Sequence, residues 1–158
     1  MKKIIIVFIL IAGITIENKA QVSFKDEKGN TQVTMNEKGE IFFQGELGAR
    51  VEEYGKNGKY GQNVRFYGKD GQQVANYVAK KKTLFGKEKE VLATVTDTGL
   101  KDKASGKTMR WSEEGILMTD AKKMNLFLDP NDELIKDRTL MIAYLMLIGF
   151  DQARSKQI

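Results

Sequence analysis

The sequence predicts a mainly β domain: an antiparallel meander that closes into a barrel, or a strongly curved sheet, around one hydrophobic C-terminal helix at about residues 130–155. Three observations carry this expectation. Short segments with apolar residues at alternate positions recur from Gln21 to Leu128. Charged turns ending in or containing glycine separate them. Near the C-terminus an Asp-Pro pair opens a run, Leu140 to Phe150, that is apolar in every direction around a helix.

The first twenty residues, MKKIIIVFILIAGITIENKA, read as a secretory signal. Lys2 and Lys3 give the positive start, Ile4 to Ile16 the apolar run and Ala20 the small residue before a cleavage site at Gln21. The alternative is an uncleaved anchor, for which the run falls short of the ~20 residues a bilayer span prefers. Residues 21–158 then form one β-rich domain, exported to the periplasm or secreted. Removing Lys2, Lys3, Lys19 and Glu17 takes the formal net charge from +5 to +3, too little to indicate nucleic acid. No cysteine is present, so stability must come from packing.

The turns are DEKGN, NEKGE, GKNGK, GKDGQ, TDTGL, ASGKT and SEEGI. Glycine tolerates positive φ, and Asn or Asp nearby favours tight turns. Between them, alternation places Val22 with Phe24, Val33 with Met35, Val64 with Phe66, and Val74 with Asn76 and Val78. About nine or ten strands follow by this procedure. Val91, Val95, Met109, Trp111, Leu126 and Leu128 are further inward candidates. The recurrence of EKG at residues 27–29 and 37–39 is read as a repeated turn rather than a duplicated unit, since the flanking residues differ.

VAKKKTLFGKEKEVLATV reads as a hairpin with a basic tip that gathers Lys80, Lys81, Lys82, Lys87 and Lys89, with Leu84 and Phe85 there too. Lysines with an exposed aromatic can touch an anionic membrane surface. They also deter edge-to-edge strand pairing, which is the structural alternative.

The last element has Asp129 as expected N-cap and Pro130 at the first helical position. Asp137, Arg138 and Asp151 bracket about twelve apolar residues, roughly 18 Å of helix. A bilayer core needs about 30 Å, so the expected surroundings are protein, with no transmembrane helix in the mature chain.

The chemistry is bounded by absences. With no His and no Cys, serine–histidine, cysteine–histidine and ordinary zinc sites are excluded. No EF-hand-type loop or phosphate-binding loop motif occurs, and no cofactor or metal is expected. Glu52–Glu53 and Glu113–Glu114 are adjacent pairs whose side chains would point to opposite faces of a strand.

A glycine-punctuated β-meander ending in one all-round apolar helix resembles the tubby C-terminal-like superfamily, carried here by GQQVANYVAKKK and DELIKDRTLMIAYLMLIGFDQ. The resemblance implies a twelve-stranded barrel enclosing a hydrophobic C-terminal helix. It carries over no binding residues: the scramblases' cysteine-rich segment and acidic calcium motif are missing, and tubby's phosphoinositide-binding residues have no match. The function expected is an exported, non-enzymatic binding or scaffold module of the cell envelope. Its expected contact is an anionic membrane surface, through Lys80, Lys81, Lys82, Phe85, Lys87 and Lys89, or an envelope protein. The alternatives are a carboxylate-dependent glycan hydrolase and a carrier of a small apolar ligand.

Overall fold

The computed structural model describes residues 22–55, 61–120 and 122–150. The predicted secretory signal and the predicted helix end beyond Phe150 both lie outside these residues. Twelve antiparallel strands form one closed barrel in simple meander order. They are β1 (Val22–Lys25), β2 (Thr31–Met35), β3 (Glu40–Phe43), β4 (Glu46–Tyr54), β5 (Asn63–Gly68), β6 (Gln73–Val78), β7 (Thr83–Gly86), β8 (Val91–Thr96), β9 (Gly99–Asp102), β10 (Thr108–Trp111), β11 (Ile116–Thr119) and β12 (Lys122–Asp129). Closure comes from β1 pairing with β12, with Phe24 opposite Leu128. That pairing removes both free edges, which a meander would otherwise expose.

Among the described residues one turn geometry recurs at five corners. In each, the first residue's N–H donates to the carbonyl four residues on, and its own carbonyl accepts from the N–H three residues on. The turns start at Asp26, Asn36, Gly68, Gly86 and Ser112. The fourth residue takes positive φ: Gly29, Gly39, Gly71, Lys89 and Gly115. This is the three-residue hairpin loop with a left-handed closing residue. Asp26 and Asn36 add side-chain acceptance from the N–H groups two and four residues on. The EKG recurrence is therefore a shared turn, used at opposite barrel ends.

The helix α1 (Lys136–Ile148) follows a 3-10 turn, Glu133–Ile135, in which Asp132 accepts from the Leu134 N–H. It starts later than expected. Asp129 pairs with Ser23 in the closing ladder and bonds the Lys25 ammonium at 2.6 Å. The closing strand thus claims the residue expected as N-cap, and Pro130 is not the first helical residue. Gly149, at φ 95°, ends the helix.

Thr139 to Leu145 are all buried, as an apolar cylinder inside a barrel requires. The Trp111 indole N–H donates to the Thr139 hydroxyl at 3.1 Å, and its ring packs on Phe24. Phe150 closes the far end against Phe43 and Phe66. The helix emerges at Leu147, which is 43% exposed. No helix among the described residues is long and apolar enough to cross a membrane.

Most predicted inward residues are inward: Val22, Phe24, Val33, Val64, Phe66, Met109, Trp111 and Leu128 are buried. Two registers differ. Ala75 and Tyr77 face Phe66 and Val64 across the ladder, so Asn76 and Val78 point outward, while Val74 is buried at a bulge. In β8 a bulge puts Leu92 and Ala93 in the core and leaves Val91 half-buried opposite Phe85. Bulges shift alternation by one residue, which reverses the faces.

Candidate functional site

The predicted basic hairpin is two connections, not one tip. Ala79–Lys81 is a 3-10 turn and Lys82, at φ 50°, completes it between β6 and β7. Lys87 to Glu90 form the next turn, between β7 and β8. Because β7 runs from one barrel end to the other, Lys80, Lys81 and Lys82 lie at one end and Lys87 and Lys89 at the opposite end. All five lysines are exposed. Leu84 is not at a tip at all: it is fully buried in β7. Phe85 is half-buried on the outer face, with the Lys81 ammonium 5.7 Å from its ring centroid. That lies within cation–π range. Glu88 and Glu90 interrupt the second group. The result is a stripe along one strand, cationic at both ends and aromatic between.

Two of these lysines hold an unusual backbone. Lys89 occupies the left-handed position that glycine holds in the four equivalent turns, and Lys82 is left-handed as well. A residue with Cβ pays roughly 1 kcal/mol or more there.

A second cluster lies inside. The carboxylate of Asp102, in β9, is fully buried. Its Oδ1 accepts from the Tyr144 hydroxyl at 2.5 Å, and its Oδ2 accepts from the Ser105 N–H and hydroxyl at 2.9 and 2.7 Å. Tyr144 projects from the middle of α1. Burial pushes its phenol well above the ordinary tyrosine range, and the Asp102 hydrogen bond and charge push it further. The cluster fixes the helix to β9 and the β9–β10 turn to both. Among the described residues no buried side-chain nitrogen or oxygen lacks a partner.

The adjacent carboxylates separate as the pleat requires. Glu52 faces outward between Arg50 and Arg65, at 3.3 and 3.6 Å. Glu53 pairs with Arg138 of the helix at the barrel rim. Glu113 and Glu114 are exposed in the β10–β11 turn, where the Glu113 carbonyl accepts from the Asn131 side chain. Among the described residues no group of three or more His, Cys, Asp or Glu side chains is placed to hold a metal ion.

Neither the Asp102–Tyr144 cluster nor the arginine pair was singled out from sequence. The second had a signal: Arg50, Glu52 and Tyr54 alternate in β4, and Arg65 and Tyr67 in β5, so each set shares a face. The first had none, since Asp102 and Tyr144 are 42 residues apart.

No family model, curated protein or solved structure matches the chain.

Proposed function

We propose that this chain is an exported, non-enzymatic binding or scaffold module of the cell envelope that contacts anionic lipid surfaces through the lysines at both ends of β7. The observation that carries the proposal is the placing of Lys82 and Lys89. Both are exposed cations kept at left-handed positions where glycine would be easier. Gln44 and Asp120 are left-handed too, and their side chains bond Gln32 and the Thr108 N–H and hydroxyl; by the same logic, strain retained at an exposed lysine points to a use for its side chain. Lys80, Lys81 and Lys87 add charge at the same two turns, and Phe85 supplies an apolar contact between them.

The architecture supports a distant relationship to the tubby C-terminal-like superfamily, whose barrel also encloses a C-terminal helix. The core of this barrel is occupied by α1, which favours recognition on the outside of the wall over uptake into the lumen.

Sedimentation with vesicles tests the reading. The protein is expected to pellet with vesicles containing phosphatidylglycerol at low ionic strength and to be released by salt, because surface potentials fall off within about a Debye length. Vesicles of phosphatidylcholine alone should leave it in solution. Alanine at Lys80, Lys81 and Lys82, or at Lys87 and Lys89, should weaken the binding, by about 1 kcal/mol per lysine near the surface. Protein that remains in the supernatant with anionic vesicles at low salt would remove the lipid contact.

A further inference from the structure

The outer face of β4 to β7 carries three aromatic rings, each covered by a cation. The Arg50 guanidinium lies 4.2 Å from the Tyr67 ring centroid, and that of Arg65 lies 3.7 Å from Tyr54. Lys81 covers Phe85 at 5.7 Å. The register explains the grouping. Arg50 is opposite Tyr67, and Glu52 opposite Arg65. Arg65 is opposite Asn76, which is opposite Phe85. The Tyr54 hydroxyl donates to Asn76 at 2.6 Å, fixing the ring that Arg65 stacks on.

Glu52 sits between the two arginines. One oxygen faces Arg50 at 3.3 Å and the other Arg65 at 3.6 Å, and the Tyr67 hydroxyl donates to it at 3.3 Å. The two arginines therefore share Glu52, while Glu40, opposite Arg50 in β3, accepts from the Asn36 side chain. A guanidinium has five N–H donors in a rigid fork, and here one terminal nitrogen of each faces Glu52. These groups remain open to a ligand on the outer wall. Arg50, Arg65 and Glu52 have side chains 44, 37 and 42% exposed.

We propose that this face docks a carboxylate-bearing segment of a partner protein, whose acidic side chains bridge Arg50 and Arg65. The charge is complementary: two fixed guanidinium groups with one carboxylate between them accept another carboxylate. The composition is that of protein interfaces, where Tyr and Arg are enriched and form hot spots. Stacking on Tyr67 and Tyr54 holds the guanidinium planes in place, so little side-chain entropy is lost on binding. The shape favours a protein over a bilayer. The face spans three of the twelve inter-strand steps of a closed barrel, roughly a quarter of its circumference. A plane touches such a convex wall along a line, whereas a peptide segment can follow it. The arginines lie flat on the wall, over Tyr67 and Tyr54.

The test is a titration of the protein with a short Glu-Thr repeat peptide, its Gln-Thr counterpart, and phosphatidylglycerol vesicles, read by the arginine side-chain NMR signals and by affinity. The Glu peptide should move the Arg50 and Arg65 signals and the Gln peptide should not. Arg50→Lys with Arg65→Lys keeps the charge but loses the fork, and should weaken Glu-peptide binding roughly tenfold or more. Glu52→Gln should tighten it, because the internal competitor is neutralised. That variant decides the matter if the double lysine variant fails to fold. Equal binding by the lysine variant, equal binding of the Gln peptide, or unchanged or weaker binding by Glu52→Gln would each overturn the proposal. So would arginine signals that respond to the vesicles and not to the Glu peptide. No turn lysine is altered, so loss of vesicle binding and loss of peptide binding are separate results.

Discussion

Tyr144 must satisfy a hydroxyl at the centre of an apolar helix, and the nearest acceptors are on the barrel wall. Its bond to Asp102 also gives that buried carboxylate one of its three donors. Tyr144→Phe removes the bond and leaves Asp102 short, at an expected cost of about 1–3 kcal/mol at neutral pH. The pH dependence has a definite sign. The folded phenol titrates above the ordinary value of 10.0. Its contribution is therefore fully present below that value and is lost as pH rises, because the unfolded chain alone ionises there. Urea unfolding at about pH 7 and about pH 11 should show the stability gap between wild type and Tyr144→Phe narrowing at the higher pH. A gap that stays constant would mean the phenol does not titrate with unfolding. Lys89 presents the opposite balance. Lys89→Gly relieves a left-handed lysine and should raise stability by about 1 kcal/mol. The same change should weaken vesicle binding. Improved stability with unchanged binding would leave the retained strain without the use proposed for it.

The elements are set by their turns, and the stretch from Val78 to Val95 shows why. Four of the five matching turns announce themselves with glycine at the left-handed position. The fifth, from Gly86 to Glu90, has Lys89 there. With no glycine at that position to mark it, the chain from Val78 to Val95 reads as one hairpin, and two lysine groups at opposite ends of β7 merge into a single tip. Strand β7 is only four residues long, too short for alternation to reveal. The arginine face was hidden differently: its residues are local in β4 and β5, but only the register says that Glu52 meets Arg65. Close backbone approach makes a further element-scale prediction. A Cβ at Gly99, φ 141°, would lie 2.1 Å from the Met109 carbonyl oxygen in the neighbouring strand. A Cβ at Gly29, φ 84°, would meet nothing within 4 Å. Gly99→Ala should therefore destabilise by well over 1 kcal/mol, since β9 must move away from β10, while Gly29→Ala costs only the backbone conformation, about 1 kcal/mol. Thermal unfolding of the two variants compares them directly, and equal losses would place the tight contact elsewhere.

For the whole molecule, the decisive clue was the apolar helix, because an apolar cylinder without a polar back has to be enclosed. The enclosing sheet followed from that need more than from any strand. Alternation alone marked about nine or ten strands, whereas twelve close the barrel. The missing ones are short, as in β9, or carry glycine and charge, as in β4. Closure itself left no local trace, since β1 and β12 pair across most of the chain. Helix and barrel depend on each other in this arrangement. Without α1 the wall would line a void. Without the wall the helix would expose all sides. Trp111 reports on both, touching Phe24 of β1 and Thr139 of the helix. Leu145 is fully buried and Leu147 is 43% exposed two residues on. Leu145→Asp places an unpaired charge among apolar side chains, and the protein should lose its strand signal in far-UV circular dichroism together with its Trp111 fluorescence. Leu147→Asp, at the mouth of the barrel, should leave both close to wild type. The coincidence of the two probes matters most. If Leu145→Asp released the Trp111 signal while the strand signal stayed, the barrel could stand without its helix, and the two would be separate units rather than one cooperative fold.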